Sequence, residues 1–256
     1  MMNYFCAIQS PTDVLMLIGV LAIIVVFMVV MVGGTLAWTA RMEAMVGKNA
    51  PEAKKLLTPT QKFILAASSP SRGNNYKCVI DIWETRDSEI GRQRAKDLFE
   101  WGWGEFTHEN VKNMVDDCFN RGYNSKYQMY CGIIEPEDES EKEFTQFQNE
   151  LLEEMKQKYP KQGMLAWDLV RVLSIVGGAY MGGIMEYEEA AKIALEACKR
   201  LQMNFSSWDD MVGNYTLGYQ FWRGEKKTDR LNYYKKLKKT WIYQISWETE
   251  LKEEEL

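Results

Sequence analysis

The segment Met164–Ala179, MLAWDLVRVLSIVGGA, contains only two charged residues, Asp168 and Arg171. Such a dense run of apolar side chains at helical length predicts the most buried helix of the chain. The following segment, Tyr187–Leu201, has three alanines and an isoleucine on one side and predicts another helix. The alternation of polar and apolar residues that is typical of strands is scarce. We therefore predict an all-α fold for the polar part of the chain.

Residues that start and stop helices support this interpretation. The expected N-cap residues are Thr58 (before Pro59), Thr107, Ser140 and Ser206. Ser140 would open a long polar helix that Pro160 ends, because proline cannot continue a helix. Ser206 would form a capping box with Asp209 at the start of a further helix.

Residues 14–40, VLMLIGVLAIIVVFMVVMVGGTLAWTA, contain no charged residue. At about 1.5 Å per residue, a helix of this length spans roughly 40 Å, which exceeds the roughly 30 Å hydrocarbon core of a bilayer. The residues before Asp13 include no Lys or Arg, and the apolar run is about twice the usual length of a signal-peptide core. A retained single transmembrane helix is therefore favoured over a cleaved signal peptide.

Basic residues lie on one side of this segment only, at Arg41, Lys48, Lys54 and Lys55. By the positive-inside rule, the chain is a single-pass protein of the inner (plasma) membrane, with its N-terminus outside and its C-terminal domain in the cytoplasm. The expected parts are a short N-terminus (1–13), the transmembrane helix (14–40), a juxtamembrane linker (41–56), a helical domain (57–224) and a basic-aromatic helix with an acidic tail (225–256).

The C-terminal part combines aromatic and basic residues. A single helix from Asp229 to Ile245 would align one apolar face, formed by Leu231, Tyr234, Leu237, Trp241 and Ile245. The remaining faces would carry Lys235, Lys236, Lys238 and Lys239. Such a helix either lies on an anionic membrane surface or docks its apolar face on the domain and leaves the lysines in solvent.

The expected partners are accordingly the lipid bilayer, through residues 14–40, and an anionic lipid or a protein, through these lysines and Trp241. Nucleic acid is not an expected partner, because the chain has a net charge of −5 and ends in an acidic tail.

A longer stretch carries a spaced set of motifs: AWDLVRVLSIVGGAYMGGIMEYEEAAKIALEACKRLQMNFSSWDDMVGNYTLGYQFWRGE. It resembles the bacterial family known as domain of unknown function 1266, whose signature includes Trp-Asp-x-x-Arg, a Gly-rich turn, Glu-Ala, Ser-Ser-Trp and Tyr-x-x-Gly-x-x-x-Trp. The matching residues are Trp167, Asp168, Arg171, Gly182, Gly183, Glu189, Ala190, Ser206, Ser207, Trp208, Tyr215, Gly218 and Trp222. Leu57–Gln61 is similar to the family's opening helix, so the resemblance covers about 57–224. It implies no activity, because the family has none assigned.

Asp168 and Arg171 stand three residues apart on one helix face, close enough to pair. They could form a pocket in which Asp168 is a general base and Arg171 an anion clamp. They could also form a buried pair that fixes helix packing. The second interpretation is favoured, because no other catalytic candidate can be assigned near them.

Two further patterns favour structural roles. The glycine pairs 177–178 and 182–183 predict a tight turn between two helices, since no strand precedes them as a phosphate loop would require. Aromatic residues at helical spacing predict core packing; with Met211 they form a stripe of Trp208, Met211, Tyr215, Tyr219 and Trp222.

The chain lacks the usual residues of catalytic and metal sites. A single histidine, His108, excludes zinc sites built on several histidines, and five irregularly spaced cysteines predict no disulfide framework. We expect no metal and no cofactor. The favoured function is a membrane-anchored interaction module rather than an enzyme. The alternatives are an enzyme or toxin-like effector with a pocket around Asp168 and Arg171, or an immunity or accessory protein for a neighbouring partner.

Overall fold

A computed structural model describes residues 57–72, 92–93, 95–97, 100, 104–136, 138 and 143–256. Eight α-helices are bounded within these residues, which contain no strand. They are α1 (Pro59–Ser68), α2 (His108–Asn120), α3 (Asn124–Tyr130), α4 (Gln146–Lys158), α5 (Leu165–Met181), α6 (Tyr187–Asn204), α7 (Trp208–Arg223) and α8 (Asp229–Leu237). Short 3-10 helices span Ser69–Arg72, Trp241–Gln244 and Glu253–Glu255. The predicted all-α class is confirmed for the described residues.

Helix α5 is the centre of the fold and packs against α1, α2, α6 and α7. Of its 17 residues, 12 are buried, as the apolar sequence of Met164–Ala179 predicted. No side chain of its own caps its start. Instead, Asn124 accepts a hydrogen bond from the Met164 N–H (2.8 Å), and Asn214 accepts one from the Ala166 N–H (3.0 Å). Side chains from α3 and α7 thus satisfy N–H groups that a buried helix start would otherwise leave unpaired.

Two of the predicted caps are confirmed. The Thr58 hydroxyl accepts the Gln61 N–H, and the Gln61 side chain accepts the Thr58 N–H, which completes a capping box at the start of α1. The Thr107 hydroxyl accepts the Asn110 N–H at the start of α2. Pro160 also acts as predicted, since α4 ends at Lys158.

The other two predicted caps are wrong. Helix α4 begins after Thr145, which forms a capping box with Gln148, and residues 143–145 are not helical. Ser140 itself lies outside the described residues. The N-cap of α7 is Ser207, whose hydroxyl accepts the Asp210 N–H. The Asp210 carboxylate then accepts the N–H and hydroxyl of Ser206, so the motif starts one residue later than its sequence indicated.

Only one of the two glycine pairs forms the predicted turn. Residues 177–178 lie inside α5, which continues to Met181. The turn to α6 uses Gly182 and Gly183, and Gly183 has a φ of +77°, a conformation that glycine adopts without steric cost. The backbone of the first pair stays helical within α5, where its N–H and C=O groups have intrahelical partners.

The expected single helix from Asp229 to Ile245 is also wrong. Helix α8 ends at Leu237, the Thr240 hydroxyl donates to the Leu237 carbonyl (2.7 Å), and a 3-10 turn follows. The break lets Tyr243 enter the core, where its hydroxyl bonds Ser69 and the Ala66 carbonyl. A single straight helix could bury only the residues on one of its faces. The break lets side chains of both α8 and the following turn reach the core.

None of the described helices combines the length and apolar character that crossing a bilayer requires. The predicted transmembrane helix (14–40), the N-terminus (1–13) and the linker (41–56) all lie outside the described residues. The described residues belong to one contact unit, Ala50–Leu256.

Candidate functional site

Asp168 is the most deeply buried charged residue of the family motif, with 1% of its surface exposed. One carboxylate oxygen accepts the Tyr123 N–H (2.9 Å) and the other accepts the Asn124 N–H (2.8 Å). The two donors are the last residue of the loop between α2 and α3 and the first residue of α3. Asp168 therefore ties this loop to the central helix, which agrees with the structural interpretation of the motif.

Gly122 makes this approach of loop and helix possible. Its φ is +51°, and a Cβ atom placed there would lie 2.4 Å from the Asp168 carboxyl carbon. Only glycine accepts that backbone conformation together with such a close carboxylate. The loop and the carboxylate therefore depend on each other. The sequence motif includes Asp168 but not the loop residues that bind it.

Burial raises the pKa of the Asp168 carboxyl to about 7 from an ordinary value of 3.8. The N–H groups of Tyr123 and Asn124 and the charge of Arg171 act in the opposite direction, because they stabilise the carboxylate. Desolvation is the largest effect, since almost no water reaches the group.

Arg171 lies beside Asp168 but is held mainly by aromatic rings. Its guanidinium carbon is 5.2 Å from the centre of the Tyr123 ring and 5.9 Å from that of Trp167. Its Nη1 atom is 3.5 Å from the nearer Asp168 oxygen, which is long for a charged hydrogen bond. The predicted pair therefore exists as a loose contact, and cation–π packing fixes the arginine.

Trp167 links Arg171 to an aromatic cluster on α7. Its ring lies 5.5 Å from Tyr215, 5.9 Å from Tyr219 and 5.6 Å from Trp222, measured between ring centres. Tyr215 and Tyr219 are buried, whereas Trp222 keeps 48% of its surface exposed. The stripe predicted as core is therefore core except at Trp222, where it reaches the surface.

The glycines and the glutamate of the motif hold neighbouring elements together. A Cβ at Gly218 would lie 2.4 Å from the Trp167 Cβ. The absence of a side chain at Gly218 therefore lets α5 and α7 approach closely at this point. Gly182 likewise contacts the ring of Phe106, at 2.2 Å from a Cβ position. Glu189 accepts the His108 Nε2 at 2.9 Å and joins α6 to α2. His108 is exposed at the start of α2 and pairs with Glu189.

Trp208, which follows the N-cap Ser207, connects the start of α7 to the C-terminal segment. The Trp208 indole N–H donates to the Ile245 carbonyl (3.0 Å), and its ring lies 4.6 Å from Phe63 and 4.7 Å from Trp247. These contacts bury the C-terminal segment against α1 and α7.

The lysines of the C-terminal segment remain on the surface. Lys235, Lys236, Lys238 and Lys239 are all exposed, while Tyr233, Tyr234 and Leu237 of the same segment are buried. Lys238 pairs with Asp209. Trp241 is half-buried and packs against the core. The packing corresponds to the docked alternative, in which the apolar face covers the domain and the lysines face solvent.

Burial makes Cys118 a poor nucleophile, and the described residues form no metal cluster. The described cysteines, Cys118, Cys131 and Cys198, are free, and burial raises the pKa of Cys118 to about 12. A thiol with such a pKa is protonated and unreactive at neutral pH. Within the part of the chain that the structure describes, no three His, Cys, Asp or Glu residues come together to hold a metal ion.

The motif residues thus converge on α5 and its neighbours, and the sequence of this region matches a known family. The profile of a family described as "Protein of unknown function (DUF1266)" covers residues 81–246, about two thirds of the chain. The chain belongs to the DUF1266 family. No curated protein and no solved structure matches significantly.

The DUF1266 match confirms the resemblance drawn from the motifs and differs from it in extent. It continues through α8 and the 3-10 turn at Trp241–Gln244, and it does not include α1. The basic segment is therefore part of the region that the family shares.

Sequence reasoning missed the residues that complete the motif from other elements. Gly122, Tyr123 and Asn124 hold Asp168, and Phe106 covers Gly182. Gly122 follows the end of α2 directly, which is a typical position for a glycine that ends a helix. That signal could have located the loop, although it could not have shown that the loop meets Asp168.

Proposed function

We propose that this DUF1266 protein is a membrane-tethered interaction module whose helical domain rests on an anionic bilayer through its C-terminal lysines. The observation that carries the proposal is the arrangement of residues 229–245. Their aromatic and aliphatic side chains pack into the domain, while four lysines point away from it. Such a rigid basic surface is suited to contact with a charged plane.

The charge of this surface supports the choice of an anionic partner. Residues 223–239 contain eight Lys or Arg and two carboxylates. Lys235, Lys236 and Lys239 form no ion pair with described residues, so their charges remain available. Each basic residue near an anionic leaflet contributes about 1 kcal/mol, so this surface alone binds weakly.

A tether would make such weak binding effective. Residues 14–40 are uncharged, and the basic residues that follow them would favour the cytoplasmic side for the domain. The linker 41–56 can span at most about 55 Å, so the domain would stay close to the inner leaflet. Its effective concentration at the membrane would then be high, and a weak contact would be populated.

The geometry gives less support to the enzyme alternative. The Asp168 oxygens are both occupied by backbone N–H groups, and the side chain is sealed from solvent. A general base must reach the proton that it removes, which this carboxylate could do only after the α2–α3 loop moved away.

The tether can be tested by extraction. Membranes from cells that make the full chain would be washed with alkaline carbonate, which releases peripheral proteins. The full chain is expected to stay with the lipid and a variant without residues 14–40 to be released. Release of the full chain would contradict the tether.

The lysine surface can be tested by chemical labelling of the full chain in nanodiscs. Acetylation of Lys235, Lys236 and Lys239 would be compared by mass spectrometry between neutral and phosphatidylglycerol-rich discs. We expect about threefold slower labelling in the anionic discs, lost at high salt because ions screen the contact. Lys156 and Lys161, which are exposed on another part of the chain, serve as controls. Equal labelling in both kinds of disc would contradict the proposal.

A further inference from the structure

We infer that Arg171, Trp167 and Trp222 form a binding site for a carboxylate attached to a flat apolar group. This site is independent of the lysine surface and of the membrane tether. Its three residues belong to the family motif. Contacts within the domain leave some of their hydrogen-bond donors and part of an aromatic ring available.

The first unused group is the guanidinium of Arg171. Its central carbon lies over the rings of Tyr123 and Trp167, and among the described residues its only hydrogen-bond contact is the 3.5 Å approach to Asp168. The Asp168 oxygens already accept two backbone N–H groups at 2.8 and 2.9 Å. Arg171 therefore keeps most of its five donors along its edge, and 20% of its side chain is exposed.

The second unused group is the indole N–H of Trp167. The residue is 7% exposed, and its Nε1 atom is buried and has no hydrogen-bond partner among the described residues. Buried donors are nearly always paired in folded proteins, so we assign to this indole N–H an acceptor on the proposed ligand. The Arg171 guanidinium lies beside the same ring.

The third element is the exposed ring of Trp222. It stacks on Trp167 with an angle of 30° between the rings and leaves about half of its surface open. The Trp222 ring and the Arg171 guanidinium both lie within 6 Å of the centre of the Trp167 ring, at 5.6 and 5.9 Å. The proposed ligand would stack on the exposed part of the Trp222 ring and reach the guanidinium with its anionic group.

The charge balance favours a carboxylate over a phosphate. One guanidinium is available, because the next arginine, Arg223, is already paired with Glu225 at 2.9 Å. The ionised form of Asp168, beside Arg171, would repel a doubly charged group more strongly than a singly charged one. A carboxylate carries one charge, and its two oxygens match the fork of the arginine edge.

The carboxylate could belong to a free aromatic acid or to the C-terminus of a peptide. The probes are therefore 2-naphthoate and the peptide acetyl-Ala-Ala-Trp with a free C-terminus, each paired with its neutral amide. The full chain, with its tryptophans labelled by ¹⁵N, would be titrated in a non-ionic detergent. The readout is the indole N–H signal of Trp167, assigned with a Trp167→Phe variant.

We expect at least one acid to shift the Trp167 signal with saturation and its amide to bind about tenfold more weakly. The acid that binds more tightly identifies the source of the carboxylate. Inorganic phosphate is expected not to compete. Competition by phosphate, or equal binding of acid and amide, would overturn the inference, as would the absence of saturable binding by both acids.

Two variants test the residues. Trp222→Ala removes an exposed ring and is expected to weaken binding about tenfold while the fold stays intact. Arg171→Lys keeps the charge but removes the planar fork and is expected to weaken binding by a similar factor. The matched controls are Met203→Ala, at a side chain that is 75% exposed, and Arg200→Lys, at another arginine packed on a ring. Unchanged binding in Trp222→Ala would overturn the site even if Arg171→Lys fails to fold.

Discussion

At the scale of single residues, Asp168 explains why a charge stands in the most apolar helix. Its carboxylate replaces the missing hydrogen-bond partners of the α2–α3 loop, which turns sharply at Gly122. A buried acceptor of this kind is costly unless every bond is made. The motif therefore depends on a glycine 46 positions before the aspartate.

Gly122→Ala tests this dependence. The new methyl group would lie 2.4 Å from the Asp168 carboxyl carbon and must displace the loop or the side chain. Gly132→Ala is the matched control, because Gly132 also has a positive φ (+68°) but nothing within 4 Å of its Cβ position. Urea unfolding should show a cost of about 1 kcal/mol for the control and about 2 kcal/mol more for Gly122→Ala. Equal losses would show that the carboxylate contact is unimportant.

The pH dependence of stability tests the environment of Asp168. Its pKa of about 7 in the folded protein lies above the ordinary value of 3.8, so the folded state holds the proton more tightly. The contribution of Asp168 to stability is therefore full below about pH 4 and is lost as the pH rises through 7.

Asp168→Asn removes this ionisation and keeps the shape of the side chain. Relative to the variant, the wild type should lose up to about 1.4 kcal/mol of unfolding free energy per pH unit between pH 4 and 7. Chemical unfolding at several pH values measures the difference. Parallel curves for the two proteins would mean that the carboxyl keeps an ordinary pKa.

At the scale of elements, the crossing of α5 and α7 depends on the absence of a side chain at Gly218. The backbone of α7 approaches the Trp167 Cβ so closely that any Cβ would overlap it. The same approach places Tyr215, Tyr219 and Trp222 around the Trp167 ring. One glycine thus sets both the helix contact and the aromatic cluster that reaches the surface.

Gly218→Ala is expected to destabilise the domain by about 2 kcal/mol, because overpacking outweighs the better helix propensity of alanine. Gly178→Ala is the control within α5, where nothing lies within 4 Å of the Cβ position. It should stabilise by roughly 0.5 to 1 kcal/mol. Thermal unfolding of both variants decides the point, and a stabilised Gly218→Ala would refute the close contact.

At the scale of the whole molecule, the C-terminal residues are hydrogen-bonded to the start of α1. The Glu255 carboxylate accepts the N–H (3.0 Å) and the hydroxyl (2.8 Å) of Thr60, and the Lys252 N–H donates to the same hydroxyl. A carboxylate at the start of α1 also interacts favourably with the helix dipole. The acidic tail thereby links positions almost 200 residues apart.

Glu255→Gln should weaken this link in a pH-dependent way. The bonds from Thr60 hold the pKa of Glu255 below its ordinary value. The contribution of Glu255 to stability is therefore present above about pH 4.5 and is lost as the pH falls through the lower folded value. The melting temperature of the variant should lie below that of the wild type at pH 7, and the two should converge in acid. Glu254→Gln, at an exposed neighbour, serves as control, and an equal loss there would contradict the link.

Local patterns in the sequence determined the all-α class, the central helix and the caps at Thr58 and Thr107, because these depend on residues within one turn of each other. The same reasoning misplaced the caps of α4 and α7 by a few residues. Several nearby side chains can cap a helix, and the choice among them depends on where the helix is held by its neighbours.

Only the tertiary structure decided what the motif does. Asp168 meets a loop 44 residues away, Gly218 meets Trp167, and the C-terminal segment bends so that Tyr243 reaches α1. The spacing of residues along one helix cannot predict such contacts, because the residues that meet come from different elements. The sequence by itself determined the all-α class and the position of the central helix. Packing in three dimensions decided which charges are satisfied inside the domain and which remain available, as at Arg171 and the C-terminal lysines.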